Sequence, residues 1–164
     1  MKTAKIFAIS AVAMSLPVTA LAQMSPFVSA QVDAAAKPCA DVAGAAAGQS
    51  EESAKSIATA ALQPCYAALK SLDAFEKANS AGMTDEELNY FYFVGGSVIW
   101  MTAAAETMKN DGELNSAICQ QALSAEQAWG NVRVQTGTKV HSEMLTNPIR
   151  RMLLPACAQS QQLN

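Results

Sequence analysis

DEELNYFYFVGGSVIWMTAAAE, residues 85–106, decides how the rest of the chain is read. Between Glu87 and Glu106 lie eighteen residues without a formal charge. A run of that length is near the lower limit for a membrane-spanning helix. Three features place it inside a protein instead. Its flanks are acidic (Asp85, Glu86, Glu87 and Glu106), where a cytoplasmic membrane end favours Lys and Arg. Asn89, Ser97 and Thr102 dilute its apolarity, and Gly95-Gly96 interrupts its centre. The chain also opens with a feature that already delivers it across a membrane.

A helix that is apolar nearly all round has neighbours on every side. Leu88, Phe91, Tyr92, Gly95, Val98, Ile99 and Thr102 trace one face, while Phe93, Gly96, Trp100 and Ala103 cover much of the other. Thr84 with Glu87 three residues on is a capping box, so the helix starts there. Asn110-Asp111-Gly112 ends it. Glycine in a helix interior costs about 1 kcal/mol per residue relative to alanine, so the pair needs an offsetting role. Close approach of a neighbouring helix is one. The other is a pocket between helices, rimmed by Tyr90, Tyr92 and Trp100 around Gly95 and Gly96. These five are the candidate ligand- or partner-binding residues.

Outward from this helix, the N-terminus reads as a secretory signal. Lys2 and Lys5 precede an apolar run from Ile6 to Leu16, and Ala20-Leu21-Ala22 offers the small residues of a cleavage site. Residues 1–22 are expected to be removed, leaving 142 residues from Gln23, enough for one domain. Loss of Lys2 and Lys5 shifts the formal charge from −3 to −5. An acidic chain has no overall attraction to nucleic acid.

Residues 23–37 read as a partly ordered lead-in, with Pro38 opening the first helix and Gly48 closing it. A second helix begins after Ser50, passes Pro64 and ends near Asn79. Beyond the central helix, residues 113–135 read as helical. Asn147-Pro148 caps a last helix, and a short one over 138–146 precedes it. No strand pattern or hairpin turn occurs. The expectation is an all-α class. Residues 38–164 form one domain, a disulfide-linked bundle of antiparallel helical hairpins around a central apolar helix at about 85–110.

Cys39, Cys65, Cys119 and Cys157 are the four cysteines. An even count in an exported chain predicts two disulfides. A hairpin bend at Gly137-Thr138 sets Cys119 and Cys157 level on antiparallel helices. A first hairpin brings Cys39, at the start of one helix, to Cys65, after the end of the next. Cys39–Cys65 with Cys119–Cys157 is therefore the expected set, and Cys65–Cys119 is the alternative clamp. On the loop-entropy model each bridge contributes about 3–4 kcal/mol.

Chemistry finds little purchase. The single histidine, His141, excludes a paired-histidine metal site. His141, Glu143 and Met144 together are the candidate set for a metal or haem carrier, though no CxxCH is present for covalent haem. No GxSxG elbow and no glycine-rich phosphate loop occurs. Arg133, Lys139, Arg150 and Arg151 gather late in the chain. No repeat period returns, and no cofactor is implied. The reading is a periplasmic or secreted, non-enzymatic protein that binds a protein partner, a peptide or a small apolar ligand, with envelope stress or maintenance as the setting. A metal or haem carrier using His141 is the alternative, and an acid-stress chaperone the third.

Overall fold

A computed structural model of the protein describes residues 25–45, 49–133 and 139–162. These form six α-helices: α1 (Pro26–Ala45), α2 (Glu51–Asn79), α3 (Asp85–Lys109), α4 (Ser116–Gly130), α5 (Lys139–Thr146) and α6 (Pro148–Gln162). A 3-10 turn, Ser80–Gly82, joins α2 to α3. No strand occurs among the described residues. The predicted signal at 1–22, the helix stop at Gly48 and the bend at Gly137-Thr138 lie outside them.

The segment read as a lead-in is helical from Pro26, not from Pro38. Ser25 caps this helix: its Oγ accepts from the Phe27 N–H at 3.2 Å. Pro38 lies inside α1, where a proline costs about 3 kcal/mol. Burial outweighs that cost. Val28, Val32, Ala36, Cys39 and Ala43 recur at helical spacing and are all buried. Pro64 is likewise carried within α2. The long helix α3 has the predicted capping box. Thr84 Oγ1 accepts from the Glu87 N–H at 3.3 Å, and the Glu87 carboxylate accepts from the Thr84 N–H at 2.7 Å. At its other end Asp111 and Gly112 turn left-handed, at φ 56° and 81°. Gly112 N–H reaches Thr107 O at 2.8 Å and Asp111 N–H reaches Met108 O at 3.2 Å, which satisfies the last carbonyls of the helix. That turn delays α4, which begins at Ser116 behind an Asn115 cap and not at residue 113.

α3 packs against α1, α2, α4 and α6. Its N-terminal half, through Phe91, Phe93, Val94 and Val98, enters a core shared with α1 and α2. Its C-terminal half, through Trp100, Ala103 and Ala104, enters one shared with α4 and α6. Among the described residues no helix is long and apolar enough to cross a membrane. Buried Thr102 and Thr107 return their hydroxyls to the carbonyls of Val98 and Ala103, each at 2.8 Å.

Both expected disulfides are present, with Cα–Cα separations of 4.3 Å for Cys39–Cys65 and 5.4 Å for Cys119–Cys157. The first pair lies mid-helix, not at the ends of a short hairpin. Cys39 is thirteen residues after Pro26 and Cys65 fourteen before Asn79, so antiparallel α1 and α2 are level there. The second pair shares its register with an ion pair. Glu126 lies seven residues after Cys119 and Arg150 seven before Cys157, and Arg150 grips Glu126 at 2.5 and 2.6 Å. Two contacts of opposite advance fix α4 and α6 as antiparallel.

Glu87 also ties the two ends of the first core together, because its carboxylate accepts from the Ser25 N–H at 3.1 Å. The bond from the Thr84 backbone holds its pKa below the usual 4.5; burial opposes this, and the Ser25 bond adds to it. A depressed carboxylate stabilises the fold fully above its unfolded pKa and loses that contribution as pH falls through the lower, folded value. Glu87→Gln keeps the cap and removes the charge. It is expected to lower stability by about 1 kcal/mol at pH 6. The gap to the unsubstituted chain should close below pH 4 in urea melts. A gap that stays constant with pH would remove the charge from this account.

Candidate functional site

Gly96 shows what the glycine pair does. A Cβ built there would lie 2.3 Å from Cδ1 and 2.6 Å from Nε1 of Trp129. The indole therefore rests directly on the α3 backbone. Its Nε1 donates to Phe93 O at 3.0 Å, a bond that only the bare helix surface permits. The ring stacks on Phe93, with centroids 6.2 Å apart and planes 11° apart, and tilts against Trp100 at 6.0 Å. Gly96 serves packing. Gly95 has open space where its side chain would be.

The five candidate residues do not converge. Tyr92 turns towards α2 and donates to Glu76 at 3.2 Å. Tyr90 turns towards α1 and donates to Asp33. Burial first, and then the Asp33 carboxylate, push the Tyr90 hydroxyl far above the ordinary phenol range, so it stays protonated. Tyr90 and Trp100 border a common cleft; Tyr92, Gly95 and Gly96 are not among its lining residues.

That cleft has a volume of about 580 Å³. Its floor is α3: Phe93, Val94, Ser97, Trp100 and Met101. One wall is α1, where Ala34, Ala36, Ala40, Ala43 and Gly44 face it with little bulk. Glu143 of α5, with Asn147, Pro148 and Ile149 at the start of α6, makes the other, and Trp129 closes the space between. Asp33, Lys37 and Asp41 edge the α1 side. Trp100 is fully buried, and its Nε1 has no hydrogen-bond partner. A buried donor without an acceptor costs about 1–3 kcal/mol. The two disulfides stay on opposite sides: one ties α1 to α2, the other α4 to α6. Neither bridges the cleft walls.

Ala34 and Ala36 of this wall fall in the segment expected as a lead-in, while Ala40, Ala43 and Gly44 fall in the helix expected from Pro38, where alanine's weak hydrophobic signal marks no wall. The wall's polar edge does carry a signal. Asp33, Lys37 and Asp41 recur every fourth residue beside small residues, which is one polar-edged helical face.

His141, Glu143 and Met144 have different settings. Glu143 borders the cleft and lies 3.6 Å from Lys139. Met144 packs against both halves of the core, and His141 is half-buried on α5. Among the described residues, no three His, Cys, Asp or Glu side chains group closely enough to hold a metal ion. The late basic cluster is divided as well, since Arg150 is taken up by Glu126 and Lys139 by Glu143. No protein-family model, curated protein or solved structure matches this chain.

Proposed function

We propose that the chain is a non-enzymatic, exported helical binding protein of the periplasm or cell exterior, and that the cleft over α3 holds a small, largely apolar ligand. The observation that carries this reading is the cleft itself. Its volume of about 580 Å³ is in the range of small-molecule sites, and its floor is aromatic and aliphatic with few polar groups. Two buried disulfides support an oxidising compartment.

Ala40 tests the proposal because it faces the cleft and is only half-buried. Ala40→Phe fills the space from the α1 wall without entering the core. The probe is N-phenyl-1-naphthylamine, a neutral fluorophore that brightens in apolar surroundings. The native chain is expected to brighten it, and Ala40→Phe to weaken binding at least tenfold with an unchanged thermal midpoint. No brightening with the native chain, or equal affinity in the variant, would remove the cleft as the site.

A further inference from the structure

The lining of the cleft narrows its ligand beyond size and apolarity, an inference that rests on the cleft being a binding site. Three carboxylates border it, Asp33, Asp41 and Glu143, against one ammonium, Lys37. Lys37 is held by both oxygens of Asp41 at 2.8 Å, and Glu143 lies near Lys139. Asp33 differs. It receives the Tyr90 hydroxyl, and no basic side chain among the described residues pairs with it. The Tyr90 ring beside it offers an aromatic face, which attracts cations. An anion brought to this edge meets carboxylates on both walls.

Beyond that edge the cleft is apolar along α3. Tyr90 and Trp100 are ten residues apart on α3, which separates them by about 15 Å along the helix. Between them run Phe93, Val94 and Ser97 on the floor and the alanines of α1 on the wall. The Ser97 hydroxyl is already turned back to Phe93 O at 2.8 Å, so the middle of the cleft is apolar. At the far end Trp100 is fully buried, Nε1 included, so it adds no polar contact there.

We infer that the ligand is an organic cation, with an ammonium group at Asp33 and a flat apolar body along α3. The probes are biphenyls with an ethyl group at one end and an aminomethyl, hydroxymethyl or carboxyl group at the other. Binding to the full mature chain is measured by calorimetry.

The amine should bind about fivefold more tightly than the alcohol, the upper range for a solvent-screened ion pair, and the carboxylate most weakly. Asp33→Asn should bring the amine down to the alcohol and leave the alcohol unchanged. A purely structural role for Asp33 would weaken both. Equal binding of amine and alcohol, or tightest binding of the carboxylate, overturns the cation. Binding by none of the three overturns the cleft reading itself, which is a separate result.

Discussion

Gly96→Ala is expected to destabilise the fold by roughly 2–4 kcal/mol, although the same change in an open helix stabilises it by about 0.5–1 kcal/mol. The sign turns on Trp129. A new methyl group would sit 2.3 Å from Cδ1 and 2.6 Å from Nε1 of its indole, well inside contact distance. Neither side yields readily. The backbone at Gly96 belongs to the most enclosed helix of the protein. The indole is fixed by its bond to Phe93 O and lies between Phe93 and Trp100. Moving it outward leaves its N–H buried without an acceptor, at a cost of about 1–3 kcal/mol. Gly95 is the internal control, because a methyl group there meets open space. Gly95→Ala should raise the urea midpoint and Gly96→Ala should lower it, with tryptophan fluorescence shifted only in the second. If both substitutions stabilise the chain, the indole is not seated as described. A Trp129→Phe background should relieve part of the Gly96→Ala cost, since the smaller ring has no Nε1 to displace.

Some of this arrangement was legible in the sequence, and the rest was not, for physical reasons. The central helix carried its own boundaries, Thr84 with Glu87 at one end and Asn-Asp-Gly at the other, and caps are local chemistry. Helical rise predicts Cys119–Cys157, whereas Cys39–Cys65 is expected at the ends of a short hairpin and instead joins mid-helix positions of α1 and α2. The glycine pair announced a constraint but not its partner. Nothing in DEELNYFYFVGGSVIW says that an indole thirty-three residues later presses on the second glycine and not the first. The start of α1 was hidden by Pro38, because a local penalty was read without the burial that outweighs it. In α2 the residues spaced by threes, Tyr66, Leu69, Leu72 and Phe75, drift round the helix by about 60° per step. The buried stripe runs instead through Ala58, Ala61, Cys65, Ala68 and Leu72. Alanines carry a weak hydrophobic signal, so the larger Tyr66, Leu69 and Phe75 mask that stripe in the sequence.

The second disulfide controls more than its own helices. Cys119→Ala with Cys157→Ala is expected to cost roughly 4 kcal/mol, the loop-entropy value for a separation of 38 residues. Against a total stability of about 5–15 kcal/mol for a typical domain, that is a large fraction. The loss should be unevenly distributed. α5 packs chiefly on α6, and α6 reaches the rest of the protein through α4 and the end of α3. Without the bridge, the Arg150–Glu126 pair and the seating of Ile149 and Leu153 are what remain to hold α6 against α4. A solvent-screened ion pair contributes at most about 1 kcal/mol, so the apolar contacts carry nearly all of it. α5 and α6 should then open locally at a lower free energy than the α1–α2 pair, which keeps its own bridge. Amide exchange should accelerate across residues 139–159 and stay slow around Cys39 and Cys65. Because Glu143, Asn147, Pro148 and Ile149 form one wall of the cleft, probe affinity should fall in the same variant, even well below its melting point. Removing the first bridge by Cys39→Ala with Cys65→Ala should cost a similar roughly 3–4 kcal/mol, yet leave exchange in α5 and α6 unchanged. Uniform acceleration in both variants would mean that the two halves unfold as one unit, and that the wall formed by α5 and α6 has no independent motion to govern the cleft.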